Sequence, residues 1–111
     1  MKHKTFCFDL DNTLCNTKNN NYNSSKPIRK AIKTVNYLFD KGHIIKINTA
    51  RYMGRSKDKL INKRHIKLKI TKQLKKFGLK YHKLFIGKPS ADIYVDDKAF
   101  GYDKTWIKKL K

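Results

Sequence analysis

Four short apolar runs, TFCFDL, HIIKIN, KLFIG and DIYVDD, punctuate the chain, and helix-like stretches separate the first three. Runs of this length bounded by polar residues read as strands, and strands alternating with helical periods read as a parallel sheet. TFCFDL covers Thr5 to Leu10, HIIKIN covers His43 to Asn48, KLFIG covers Lys83 to Gly87, and DIYVDD covers Asp92 to Asp97. Between the first two, Ile28, Ala31, Ile32, Val35, Leu38 and Phe39 follow the 3.6-residue period of a helix with one apolar face. Pro27 is suited to open that helix, Ser24 and Ser25 are candidate caps, and Gly42 is suited to end it. Between the second and third runs, Ile66, Ile70, Leu74 and Phe77 form a second stripe, read as core, and Gly78 stops it. Residues 12–26 are polar and asparagine-rich, a loop or a short hairpin, and the tail from Lys98 suggests a short helix around Trp106 and Leu110. The expectation is one α/β domain over residues 1–111, a mainly parallel sheet flanked by helices.

In such sheets ligands bind at the carboxyl ends of the strands. The residues at those ends are Asp9 and Asp11, Thr49, Lys88, and Asp96 with Asp97. Acids are scarce here: eight aspartates against 28 basic residues, no glutamate, and a net charge of +20. The pairs Asp9/Asp11 and Asp96/Asp97 take half of them, each at the end of an apolar run. Composition drift toward lysine and asparagine does not place scarce acids so.

Two acidic pairs at one rim repel unless a cation lies between them. All-oxygen donors suit Mg²⁺, which favours one or two carboxylates together with a phosphate oxygen. Lys88 and the amides beyond the strand ends can take the remaining phosphate oxygens, and the Thr49 hydroxyl adds a donor. Within the first pair, Asp9 is suited to attack phosphorus and Asp11 to act as acid and base. Residues i and i+2 share a face of an ideal strand, which would put both on the same side. Arg51, Tyr52 and Arg55 follow the second strand and read equally as substrate contacts or as a solvated loop.

The sequence resembles the haloacid dehalogenase superfamily at four places in order. DLDNTL matches its first motif, with two aspartates one residue apart and Thr13 two beyond. IIKINT resembles the second motif, Lys88 in GKPSAD the third, and IYVDD the fourth. The resemblance implies a Rossmann-like sheet and phosphoryl transfer, with Asp9 as nucleophile and Asp11 as general acid and base. It implies Mg²⁺ held by Asp9, the Asp11 carbonyl and Asp96, with Asp97 assisting, and the phosphoryl group bound by Thr49 and Lys88. The intervals from Thr13 to Pro27 and from Ala50 to Lys88 leave no room for the cap domain of larger members. The chain is thus similar to small capless phosphatases, especially those found with capsule and surface-polysaccharide genes, which implies a sugar phosphate or similar small metabolite. Water exclusion would then fall to the substrate, the polar loop or a neighbouring subunit in a homo-oligomer.

Charge and composition bound the alternatives. A strongly positive field also attracts nucleic acid, so a phosphatase of nucleic-acid ends and a non-catalytic basic binding module are the other two readings. Aromatic residues are not interleaved with the basic runs as a base-stacking platform requires. No run reaches the length of a membrane span, and the start of the chain does not read as a signal peptide, so the expected location is cytoplasmic. Cys7 reads as a buried small apolar residue, and the four histidines show no zinc-ligand spacing with Cys7 and Cys15.

Overall fold

The computed structural model describes residues 2–19, 21–51, 59–86, 92–95 and 107. Four strands form one sheet: β1 (Thr5–Asp9), β4 (Ile44–Thr49), β5 (Lys83–Ile86) and β6 (Ile93–Val95). Their order is β5-β4-β1-β6, and every neighbouring pair is parallel. Two helices, α1 (Arg29–Asp40) and α2 (Lys59–Phe77), make the crossovers from β1 to β4 and from β4 to β5. The expected α/β class and parallel sheet are therefore present, and among the described residues no cap interrupts them. No helix among the described residues is long and apolar enough to cross a membrane.

Strand β1 lies inside the sheet, and Phe6, Cys7 and Phe8 are all buried, as a strand covered on both faces requires. Strand β4 alternates instead. Ile45, Ile47 and Thr49 are buried, whereas Ile44 is exposed and Lys46 and Asn48 are half-buried. Helix α1 lays Ala31, Ile32, Val35 and Leu38 on the sheet, and α2 adds Ile70, Leu74 and Phe77 with Ile66 half-buried beside them. Burying each of the larger aliphatic side chains contributes about 1.5–3 kcal/mol. Both crossovers move the same way along the sheet, and right-handed connections then put both helices on one face. Two residues of α1 bear this out at the end of α2: Arg29 Nη1 donates to the Phe77 carbonyl (2.9 Å) and Asn36 Nδ2 to the Gly78 carbonyl (2.9 Å).

The polar segment after β1 is a hairpin. Its strands are β2 (Cys15–Asn16) and β3 (Lys26–Pro27), paired antiparallel, with a 3-10 turn at Tyr22–Ser24 between them. Pro27 belongs to β3, so α1 starts two residues later than Pro27 suggested, with Ile28 as N-cap and no side-chain cap. Neither serine caps the helix: Ser24 closes the 3-10 turn and Ser25 is buried. Strand β1 stops at Asp9, one residue short of the run that suggested it; β6 spans Ile93–Val95, and Asp96 and Asp97 of its run lie outside the described residues. Of the expected tail helix, Trp106 and Leu110 lie outside the described residues; Ile107 is helical and packs on the core.

Gly42 ends α1 as expected. Its N–H donates to the Phe39 carbonyl (3.0 Å), and His43 N–H to the Leu38 carbonyl (3.2 Å), which satisfies the last turn. Gly42 has φ +94°, and a Cβ there would stand 2.9 Å from His3 Nε2. Gly42→Ala is expected to destabilise the protein by about 1–2 kcal/mol, read as a lower urea midpoint with unchanged slope.

Candidate active site

The sheet order reverses at β1. The chain moves from β1 outward to β4 and β5, then returns to place β6 on the other side of β1. Open α/β sheets bind ligands in the crevice at such a reversal, outside the carboxyl ends of the strands. Asp9 ends β1 there, half-buried, with Asn48 of β4 as its register partner. Val95 of β6 pairs with Phe8, one residue before Asp9. Thr49 ends β4, fully buried. Three of the expected residues, Asp9, Asp11 and Thr49, therefore gather around two adjacent strand ends. Lys88, Asp96 and Asp97 lie outside the described residues, as do Tyr52 and Arg55.

Asp11 does not continue the strand. The chain bends at Leu10, whose carbonyl receives the N–H groups of Thr13 (3.4 Å), Leu14 (2.9 Å) and Cys15 (3.3 Å). Asn12 takes the left-handed conformation at φ +66°, which asparagine tolerates better than most residues, and its N–H reaches the Cys15 carbonyl (2.7 Å). This turn, not strand alternation, sets where the Asp11 side chain sits relative to Asp9. The Asp11 carbonyl is not among the acceptors that close the turn. The Thr13 hydroxyl, buried inside it, has no hydrogen-bond partner among the described residues.

The main partner of Asp11 is Arg51, which is buried rather than solvated. Arg51 Nε donates to Asp11 Oδ1 (3.1 Å) and Oδ2 (3.0 Å), and Nη2 donates to Oδ1 (2.9 Å). Thr17 Oγ1 also donates to Oδ1 (2.6 Å), so Oδ2 accepts only the Arg51 Nε bond among the described residues. Arg51 is held in turn: Nη1 donates to Gln73 Oε1 (2.6 Å), Nη2 to Ser25 Oγ (3.3 Å), and the guanidinium lies over the Tyr22 ring at 4.9 Å. Its backbone N–H donates to Thr49 Oγ1 (3.0 Å), which ties the end of β4 to the same unit. Gln73 Nε2 reaches the Tyr22 carbonyl (2.7 Å), so α2, the hairpin and the strand ends meet at one arginine.

The sequence offered little warning of this. Arg51 follows a strand in a polar segment of a chain rich in basic residues, and Thr17, Ser25 and Gln73 carry no motif. The one signal was position, two residues beyond a strand-end threonine.

Cys15 lies under the pair, with Sγ 3.7 Å from Asp11 Oδ1 and 3.6 Å from Arg51 Nη2. Burial, reinforced by the Asp11 charge, pushes its thiol up from 9.0 to about 11. The folded state therefore keeps a proton that the unfolded state loses first. The stability this contributes is fully present below about pH 9 and is lost as pH rises toward about 11. Native protein is expected to resist alkylation by iodoacetamide at Cys15 at pH 8 and to react once unfolded, as mass spectrometry would read it.

The donor set bears on a cation. Asp9 and the Asp11 carbonyl are oxygen donors on one turn, which suits Mg²⁺ rather than zinc or copper. Among the described residues no group of three His, Cys, Asp or Glu side chains is gathered closely enough to hold a metal. The two further carboxylates that the sequence offers, Asp96 and Asp97, follow directly after β6 in the chain.

No family model matches the chain, nor does any curated protein sequence. Among solved structures, a protein of Vibrio cholerae known from its crystal structure is similar at a TM-score of 0.63 and 28% identity, over 96% of this chain and 95% of that one. A conserved protein of Bacteroides thetaiotaomicron is similar at a TM-score of 0.58 and 20% identity, over 99% of this chain and 93% of that one. The architecture described above is thus similar, over nearly its whole length, to that of these two solved proteins.

Proposed function

We propose that the chain is a magnesium-dependent phosphomonoester hydrolase of the capless haloacid dehalogenase type, acting on a sugar phosphate or another small phosphorylated metabolite in the cytoplasm. The observation that carries the reading is Asp9 at the carboxyl end of β1, beside β6, where the strand order reverses. Thr49 at the neighbouring strand end and Asp11 on the following turn support it.

In this reading Asp9 attacks phosphorus in line with the ester oxygen. The P–O ester bond breaks as the bond to the Asp9 carboxylate forms, and Asp11 gives the leaving oxygen its proton. Oδ2, which accepts only the Arg51 Nε bond among the described residues, is the oxygen that would carry the transferred proton. Asp11 then takes a proton from water, which attacks the aspartyl-phosphate and returns Asp9 with release of phosphate. Arg51 fixes the Asp11 carboxylate between these steps, and Thr49 and Lys88 hold the phosphoryl oxygens. Bound Mg²⁺, held by Asp9, the Asp11 carbonyl, Asp96 and Asp97, would offset the negative charge gathered at phosphorus. With no cap among the described residues, the substrate, the polar loop or a second copy of the chain excludes water.

The test is direct. Purified protein should release p-nitrophenol from p-nitrophenyl phosphate with added Mg²⁺ and lose that activity in EDTA. Absence of turnover on this ester and on a panel of sugar, polyol and nucleoside phosphates would end the proposal.

A further inference from the structure

Arg51, though buried, also borders a second space. Beyond the guanidinium, the hairpin and α2 enclose an open cavity of about 490 Å³, within the size range of small-ligand sites. Tyr22 and Ser25 line the hairpin side, and Lys72, Gln73 and Lys76 line the α2 side. Lys69 completes a row at helical spacing with Lys72 and Lys76, so three ammonium groups and one guanidinium border the space. Among the described residues no acid lines it.

Basic side chains are common on this protein, so a basic lining alone carries little. What separates this cavity from the rest of the surface is its floor. Arg51 is shared between the cavity and the Asp11 carboxylate, and Gln73 is shared between Arg51 and the hairpin backbone. One side chain thus touches both places: the guanidinium that grips the Asp11 carboxylate also borders the basic recess. Low-dielectric walls around one sign of charge favour an anion there.

We propose that the cavity binds a second anionic group, a carboxylate or a second phosphoryl group, on the leaving-group side of the substrate. The inference rests on the phosphatase reading above and narrows it: the substrate is a phosphomonoester with two separated anionic ends. Lys72 and Lys76 meet the second anion, while Arg51, already committed to Asp11, fixes its distance from the reacting end. The Tyr22 ring, with the guanidinium over one face, closes the hairpin side with an apolar surface for the carbon skeleton.

The experiment compares matched probes. Glucose 6-phosphate, 6-phosphogluconate and glucose 1,6-bisphosphate share a carbon skeleton and a phosphate, and the latter two add a carboxylate or a second phosphoryl group. The wild-type protein is expected to favour at least one probe with a second anionic group over glucose 6-phosphate by about tenfold or more in kcat/KM, in line with one or two charge-assisted hydrogen bonds. The arm that wins identifies the anion. In the Lys72→Gln/Lys76→Gln variant, whose changed side chains are exposed, the ratio should fall to about one. Equal kcat/KM for all three probes, or a preference that survives the double substitution, would overturn the proposal. Calorimetric binding of the same probes keeps the two ideas apart. If nothing is hydrolysed, the phosphatase reading fails. The recess is upheld if a probe with a second anionic group still binds about tenfold tighter than glucose 6-phosphate and loses that margin in the variant, and it is overturned if the three bind alike.

Discussion

Asp9→Asn should leave a folded protein that no longer turns over phosphate esters, with a fall in kcat on the order of 10⁴-fold or more. Asparagine is nearly isosteric with aspartate, and Asp9 closes β1 through backbone pairing with β4 that the substitution leaves intact. What disappears is the nucleophilic oxygen. An amide does not form the acyl phosphate, so the reaction loses its first bond-making step rather than a contributing interaction. The checking measurement is steady-state release of p-nitrophenol, with circular dichroism and the thermal midpoint showing that the fold survives. A rate within tenfold of the parent would exclude the covalent route through Asp9.

Arg51→Met should have the largest effect on stability, about 3 kcal/mol, because removing one partner of a buried ion pair leaves the other charge uncompensated. The Arg51 side chain is 2% exposed and that of Asp11 20% exposed, so water reaches the stranded carboxylate only in part. Methionine fills much of the arginine stem's volume, which confines the loss to the polar groups. Those include the bonds to Asp11 and Gln73, and the orientation of Ser25 and Thr17 around them. For a domain of this size the change corresponds to a fall of about 10 °C in Tm. The cycle with Asp11→Asn is diagnostic: the double variant should be more stable than Arg51→Met alone, since the stranded charge is gone. Arg51→Lys should fall between, keeping a charge but losing the fork that spans both Asp11 oxygens. A Tm for Arg51→Met within 2 °C of the parent would mean the pair contributes nothing to the fold.

The parts of this protein that were legible in its sequence are those that depend on local pattern. Phe6, Cys7 and Phe8 announced a covered strand, and the Ile70/Leu74/Phe77 stripe announced a buried helix face, because burial repeats with the period of the backbone. Gly42 and Gly78 marked helix ends because positive φ favours glycine. The parts that were not legible depend on contacts between elements distant in the chain. Arg51 meets Asp11 across 40 residues, and only the pairing of β1 with β4 brings them together. Ser25 looked like a helix cap because capping is its most frequent local role. The β2–β3 pairing instead turned its hydroxyl toward Thr17 (2.5 Å) and Arg51. Asp11 likewise appeared to share a strand face with Asp9 until the Leu10 turn intervened.

The interior position of β1 has a consequence for how the polypeptide is made. Thr5 finds one partner in Ile44 and another in the Asp92 carboxylate, which its N–H reaches at 2.7 Å across 87 residues of separation. During translation this segment leaves the ribosome well before either neighbour exists, carrying two phenylalanines that have nothing to pair with. A nascent chain halted before residue 92 would hold one flank of Phe6–Phe8 bare, so chaperone occupancy on stalled ribosomes should drop once β6 has emerged.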